Sequence, residues 1–464
     1  MTYTQKLAEY TTTLTFEQLP EEVIHQVKML TLHVLGVSLA GCQIGQGKEA
    51  IKLAREMGGE QREATIWGDG SKVSGVQAAF ANGTLADVLD WEDCSWTGHP
   101  SAGAIPAALA VGEMVRAPGK AYITAVVAGY EVYQRIAMAV QPSGEGWRRT
   151  GWGLTSWQIY ASAVPAAKLF GLDETRVMQT IGIAGALTPI VNRKISIDKS
   201  DMYHYQHGLT ARDGIVSARI AQSGINGLMD MLDGESGYWV TITDECRWDW
   251  LTKDLGKKYL IMETLFKHWP VNMWVQQYLD IVDGIRIREG FAPEDIREIV
   301  VSPDYQKAKG SSRMAYHPEG YSGITEAQFS IPYCISALLH DPKPGPQWFE
   351  EGKLNDPQIL DLAGRVKATG PLLSPLDGFA MFHAGTYPEA GMEISLKDGR
   401  TVSERLPFPK GHPKNRLTED EFKDRFRVAA SYTLNSDVIE KVIEVIDDLE
   451  NIDDLNTLTR LTHN

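Results

Sequence analysis

Cysteine is scarce in this chain: Cys42, Cys94, Cys246 and Cys334 are the only four in 464 residues, and no two form a CxxC pair. That argues against a disulfide framework or a zinc ribbon and suits a reducing compartment. Basic residues are outnumbered, 45 Lys and Arg against 60 Asp and Glu, for a formal net charge of −15. Such a field repels nucleic acid at long range, so no nucleic-acid partner is expected. An anionic metabolite meets the same field and binds only where Arg or Lys reverses its sign locally. No run of about 18 apolar residues is visible, so no membrane span is expected. Met1 leads into Thr-Tyr-Thr-Gln-Lys, not a basic-then-apolar leader, which makes the cytoplasm the expected location. Neither G-x-G-x-x-G after a strand nor G-x-x-x-x-G-K-[ST] occurs, which removes the main support for NAD, FAD or nucleotide chemistry. H-E-x-x-H and G-x-S-x-G are missing too. The expectation is an enzyme that uses neither cofactor nor metal.

What is present is ordinary globular material, 43% hydrophobic and 23% charged, enough for a large core and two or three domains. Val23, Val27, Leu30, Val34 and Val37 follow Pro20 at four- and three-residue steps and predict a helix ending near Gly41. Residues 76–89, 105–115, 122–138, 160–169 and 210–222 read as further helices, rich in Ala and Gly. No fixed-period repeat is present, which disfavours a solenoid. The texture changes near residue 270. Residues 298–302 are β-branched and strand-like. Met392, Ile394 and Leu396 alternate with polar residues before Asp398-Gly399, a hairpin signal, with 401–406 as the return strand. Residues 407–413 read as a linker, and helices resume at 419–431, 436–449 and 453–461. The expected fold is mostly α: a large helical domain (1–268 and 407–464) interrupted by a smaller α+β lid (269–406).

The densest polar stretch runs from Asp87 to Pro106 and contains Asp90, Glu92, Asp93, His99 and Ser101. Carboxylates and an imidazole in proximity shift one another's proton affinities, which acid–base chemistry uses. Pro100 disfavours the α conformation at His99, and Ser101 is placed to cap the next helix, whose free N–H groups suit a carboxylate. At this level two other readings stay open: an acidic capping turn with a structural histidine, and a carboxylate-rich metal site. His204-Tyr-Gln-His207 has helix-compatible metal spacing, but two histidines do not close a site.

The block Leu89-Asp90-Trp91-Glu92-Asp93, with His99-Pro100-Ser101 and Pro106-Ala-Ala-Leu-Ala110, resembles the signature of MmgE/PrpD proteins. The resemblance continues, in order, through Gly129-Tyr-Glu-Val132, residues 166–172, Ala211-Arg212-Asp213-Gly214, Phe266-Lys267-His268-Trp269-Pro270, Phe329-Ser-Ile-Pro-Tyr333 and residues 408–413. That family includes 2-methylcitrate dehydratases, cis-aconitate decarboxylases and iminodisuccinate epimerases. It implies a helical domain with an α+β lid, a homodimer, and an active site between the domains. It also implies roles. His99 would be the general acid/base, with Asp90 or Asp93 orienting it. Lys267 and Arg212 would hold substrate carboxylate, and Tyr333 would donate to a developing oxyanion or leaving group. Cys94, Tyr203, His204 and His207 would line the substrate. Two departures stand out: Gly153 where decarboxylase-like members resemble one another in having histidine, and Tyr203 where members carry lysine, with Lys199 four residues earlier. The implied activity is a lyase on a small di- or tricarboxylate, foremost a 2-methylcitrate-dehydratase-like hydro-lyase. The alternatives are an epimerase, a cis-aconitate-type decarboxylase and a non-catalytic metabolite-binding relative.

Overall fold

The computed structural model of the chain describes residues 1–95, 98–141, 156–188, 200–305, 312–374, 377–378, 380–381 and 386–464. The Val/Leu stripe after Pro20 forms helix α1 (Glu21–Gly41), with Glu21 and Glu22 in the first turn, where negative charge suits the helix dipole. One 18-residue window of α1 has a mean hydropathy of 1.4, long and apolar enough to cross a membrane, which the reading of the sequence had not picked out. In the fold 89% of that window is buried inside the protein. Its hydroxyls are satisfied locally: Thr31 Oγ1 and Ser38 Oγ donate to the carbonyls of Val27 and Val34, four residues back.

Around α1 lie α2 (Gly75–Asp87), α3 (Ser101–Val115), α4 (Gly119–Val140), α5 (Ile159–Leu169) and α6 (Met202–Gln222). The small residues noted in the sequence mark where these helices cross. A Cβ on Gly208 of α6 would stand 2.2 Å from Thr84 Oγ1 and 2.3 Å from the Phe80 carbonyl of α2, and one on Gly83 would stand 3.0 Å from Gly208 Cα. Glycine at both positions lets the backbones of α2 and α6 touch. The end of α2 therefore lies against the first turns of α6.

Two short antiparallel strands pair across the chain, β1 (Asp93–Cys94) between α2 and α3 and β2 (Leu265–Phe266) after α6. Beyond them, α7 (Gln276–Glu289), α8 (Ile324–Gln328) and α9 (Ile331–His340) accompany a four-stranded sheet in the order β4-β3-β5-β6. Its strands are β3 (Ile296–Ser302), β4 (Val366–Ala368), β5 (Ala390–Leu396) and β6 (Thr401–Leu406). Ile299 lies opposite Val366 in the parallel pair and Ile394 in the antiparallel pair. The expected hairpin turns at Gly399, whose φ of 95° needs glycine. The parallel strand β4 was not foreseen, because three residues carry no period.

Two hydrophobic cores result. One runs from Leu7 to Phe266 and is completed by Phe422, Phe426, Ile439 and Ile443 of the C-terminal helices. The other is built mainly from residues 265–396 and takes in Val88, Leu89, Trp91 and Cys94. The α2–β1 connection is thus shared between them. The final helix is shorter than expected, Asn456–Thr459.

Candidate active site

Helix α2 ends at Asp87, and the chain turns so tightly that the Asp90 N–H donates to the Asp87 carbonyl at 2.6 Å. Asp90 adopts φ 49°, the left-handed region that aspartate tolerates better than most residues. The turn feeds β1, which pairs Asp93 with Phe266 and Cys94 with Leu265. Lys267 follows directly, its N–H donating to the Glu92 carbonyl at 3.3 Å. A ladder of two residue pairs thereby sets a lysine beside carboxylates from a distant part of the chain.

The Lys267 ammonium, wholly buried, donates to Asp90 Oδ1 and, at 2.5 Å, to Glu92 Oε1. The same Glu92 oxygen accepts from His99 Nδ1. His99 Nε2 lies 3.2 Å from the Tyr203 hydroxyl, and Gln158 Nε2 donates to the His99 carbonyl at 2.5 Å. Lys267 Nζ and His99 Nδ1 stand 3.5 Å apart. Both are donors here, so this is crowding around one shared oxygen and not a hydrogen bond.

Burial opposes charge on every group, and the partners decide which groups keep it. Burial raises the Glu92 carboxyl, but Lys267 and His99 outweigh it and hold Glu92 far below the usual range. Burial and Lys267 oppose protonation of His99, yet Glu92, by its charge and its hydrogen bond, carries it above an ordinary histidine. Lys267 is likewise held charged against burial by Asp90 and Glu92. Asp87 lacks such help: burial, then repulsion from Glu92, pushes it well above the carboxylate range. Burial lowers His204 and His207. The surroundings therefore favour charge on His99, Lys267 and Glu92 and oppose it on Asp87, His204 and His207.

Asp87, Asp90, Glu92 and His99 offer ligand atoms within 4.8 Å of one another, a donor set that suits a divalent cation. The chain supplies its own cation at that point: the Lys267 ammonium already lies against both Asp90 and Glu92. Buried side-chain atoms without a hydrogen-bond partner collect here, namely Asp87 Oδ1, Asp90 Oδ2, Glu92 Oε2 and both ring nitrogens of His207. Each such atom costs about 1–3 kcal/mol if left unpaired, so their convergence marks a place for a polar ligand.

Asp90, His99, Lys267, Tyr203, His204 and His207 are thus brought together. The structure places five other residues differently from the sequence reading. Asp93 accepts from the Ser101 N–H at 3.1 Å and the Tyr130 hydroxyl at 2.8 Å. It serves the start of α3, so it does not orient His99, and it takes the N–H reserved above for a substrate carboxylate. Ser101 consequently does not cap α3; Pro100 is its N-cap. Tyr333 donates to the Trp348 carbonyl at 2.5 Å, inside the second core among Tyr321 and Phe349. Arg212 pairs with its neighbour Asp213 at 2.7 Å on a partly exposed face of α6. Cys94 is buried with its Sγ 3.3 Å from Met273 Sδ, and burial keeps its thiol protonated. Trp96, Trp152, Gly153 and Lys199 lie outside the described residues.

Sequence reasoning missed three participants. Asp87 opens the polar stretch but was passed over as the end of a helix. Thr325 approaches His204 Nε2 at 3.2 Å. Arg313 is buried, donates to Asn272 Oδ1 at 2.9 Å and stacks over Phe329 at 4.4 Å. The Phe329 ring in turn meets Tyr203 edge-on at 5.3 Å. Burial lowers the Arg313 guanidinium to about 10, against attraction from Tyr203 and Asp90. It remains a cation beside the cluster.

Residues 5–251 match the MmgE/PrpD N-terminal domain, and residues 269–451 match the MmgE/PrpD C-terminal domain. The cis-aconitate decarboxylase of Homo sapiens is 25% identical over 469 aligned residues, covering 96% of this chain and 91% of that protein. The cis-aconitate decarboxylase of Aspergillus terreus is 22% identical over 492, covering 99% and 95%. With both domain models matched in order along nearly the whole chain, this protein is a member of the MmgE/PrpD family.

Proposed function

We propose that this MmgE/PrpD protein is a lyase that moves a proton at the carbon beside a carboxylate of a small di- or tricarboxylate, with His99 as the acid. The observation that carries this is the wiring of His99. Glu92 fixes Nδ1 and favours the charged ring, which leaves Nε2–H to the Tyr203 hydroxyl 3.2 Å away, in a cluster that also holds unpartnered polar atoms. Arg313 is the cation we assign to the substrate carboxylate, by the planar fork that guanidinium offers. Lys267 holds Asp90 and Glu92 in place and offsets negative charge that develops on the substrate.

The same arrangement serves either bond cleavage. In decarboxylation the C–C electron pair stays on the substrate as carbon dioxide leaves, and His99 Nε2–H delivers its proton to that carbon. In dehydration Asp90 removes the proton next to the carboxylate, and His99 protonates the departing hydroxyl as water. Either way His99 ends neutral and takes a proton back from solvent; in dehydration Asp90 also releases the proton it removed. The whole-length likeness to cis-aconitate decarboxylases favours testing carbon–carbon cleavage first, ahead of the hydro-lyase that the sequence reading preferred. The cytoplasmic setting expected from the cysteines and the N-terminal residues, and the homodimeric assembly implied by the resemblance, belong to the same proposal.

The test is turnover of cis-aconitate and of 2-methylcitrate in deuterated water, followed by NMR and released carbon dioxide. A lyase yields product carrying one solvent deuteron or a new alkene; an epimerase would wash deuterium into unreacted substrate instead. His99→Gln should lower kcat by about 10²–10⁴, the usual worth of general acid catalysis. Unchanged turnover in that variant would refute the assignment. Turnover should also survive exhaustive chelation, because Lys267 supplies the positive charge.

A further inference from the structure

His207 is the least explained group in the molecule. It is wholly buried, and neither ring nitrogen has a hydrogen-bond partner among the described residues. Its ring centroid lies 5.2 Å from that of His99, so both imidazoles border the same space. Asp87 Oδ1, also unpartnered, stands 3.3 Å from His207 Nε2. The other Asp87 oxygen lies 2.7 Å from His204 Nδ1, and His204 Nε2 lies 3.2 Å from Thr325 Oγ1. All four side chains are fully buried.

We propose that Thr325, His204, Asp87 and His207 form a one-way hydrogen-bond relay that holds His207 as its Nδ1–H tautomer and aims that N–H at a substrate oxygen beside His99. The inference rests on the carboxylate-lyase reading of the site. The proposed direction runs from Thr325 inward. The Thr325 hydroxyl donates to His204 Nε2, which leaves the His204 proton on Nδ1, donated to Asp87 Oδ2. A protonated Asp87 then has its O–H on Oδ1, facing His207 Nε2. That nitrogen must accept, so the His207 proton resides on Nδ1. Every member is neutral, in keeping with burial and with the ionised Glu92 next to Asp87. The last link is open in the free protein: 3.3 Å without hydrogen-bond geometry, a looseness that active sites close when substrate arrives. His207 is the catalytic residue here, and Asp87, His204 and Thr325 are positioning residues. Thr325 sits in α8 between Ile324 and Ala327 of the second core, while His204 and His207 sit on α6 against the first. The relay therefore spans both cores, and its alignment reports how they are seated together.

The experiment uses the full chain labelled with [15N]histidine, with His207 assigned from His207→Asn. At neutral pH the wild type should show one neutral tautomer at His207, protonated at Nδ1. Asp87→Asn should keep it, because the amide accepts from His204 and donates to His207. Asp87→Leu and Thr325→Val should release a mixture of tautomers. A charged His207, an Nε2–H tautomer, or an Asp87→Asn protein as disordered at His207 as Asp87→Leu would each overturn the relay. With cis-aconitate as probe, His207 Nδ1 should shift together with His99. A shift at His99 alone overturns the relay, whereas no shift at either ring refutes the carboxylate-site reading and the relay with it. In turnover, His207→Gln should lose about 10²-fold in kcat with KM little changed, the effect of removing one oxyanion donor. His207→Asn, whose amide nitrogen replaces Nδ1, should recover at least a tenth of the wild-type rate. Equal losses in the two variants would count against the relay.

Discussion

Replacing Lys267 with methionine tests the electrostatic core of the site. The substitution preserves length and packing but removes the ammonium that holds Asp90 and Glu92, all three fully buried. Breaking a buried ion pair by removing one partner costs about 3–5 kcal/mol, because the other charge is left uncompensated. At roughly 2 cal/mol/K per residue, a chain of this length loses about 1 °C of Tm per kcal/mol, so Tm should fall by about 3–5 °C at mildly alkaline pH. The sign of the pH dependence follows from Glu92, whose proton affinity Lys267 depresses in the folded protein. A carboxyl depressed on folding contributes stability above its unfolded value and loses it as pH falls through its folded value. The variant removes that contribution and lets a carboxyl take up a proton instead. Its deficit should be large at alkaline pH and shrink toward pH values near the unfolded carboxyl range. The assay is calorimetry of wild type and Lys267→Met across that range. A deficit that does not change with pH, or no deficit at alkaline pH, would refute the claim that Lys267 holds these carboxylates ionised.

Asp93, which burial pushes up from 3.8 to about 6, works with the opposite sign. Its folded form favours the proton, so stability falls as pH rises through this window, by roughly 3 kcal/mol over the two-unit shift; Asp93→Asn should remove that slope in thermal melts at a series of pH values. Arg313→Lys keeps charge but loses the fork, and Arg313→Leu loses both, so KM for a carboxylate substrate should rise about 10-fold in the first and more in the second while kcat changes less; unchanged KM in both would remove Arg313 from the site. Tyr333→Phe deletes only the bond to the Trp348 carbonyl and should cost about 1 kcal/mol in denaturant melts; a large loss of kcat without loss of stability would return Tyr333 to the active site.

Much of the fold was legible because its helices bury broad apolar faces with a regular period, as in α1 and α6, and because Asp398-Gly399 announces a hairpin. The three-residue β4 left no pattern to read. The site was legible where chemistry is concentrated in sequence: Asp90, Glu92 and His99 fall within ten residues. Lys267 came only through the resemblance, since its partners lie far away and two ladder pairs create the contact. The misplacements have physical reasons. Asp93 looks like its neighbours, but strand alternation at β1 turns it from the Lys267 side toward the start of α3, where an N–H and a tyrosine hydroxyl receive it. Tyr333 belongs to a motif, yet the N-cap bond from Ser330 to its own N–H sets α9 so that its ring enters the second core. Arg313 sits in a segment of no distinctive composition, and burial on Phe329 has no signature in one sequence.

The charge pattern explains how an acidic protein accommodates an anion at a site full of carboxyl groups. Asp90 and Glu92 are matched by Lys267 and His99, and burial works against charge on Asp87, so the negative charge of the cluster is largely offset. This balance needs no water, which is why it survives complete burial. It also means that Lys267 is committed to Asp90 and Glu92 and is poorly placed to be the main anchor for a substrate carboxylate. In the proposed function the anchoring role therefore falls to Arg313, stacked on Phe329 beside Tyr203, and polar steering to His99 and His207. Tyr203, which replaces the lysine that the resemblance leads one to expect, fits that division. A second ammonium next to His99 would oppose its protonation, as Lys267 already does, whereas a phenol beside Nε2 leaves the proton available. The exchange of lysine for tyrosine thus conserves the acid at the expense of a cation.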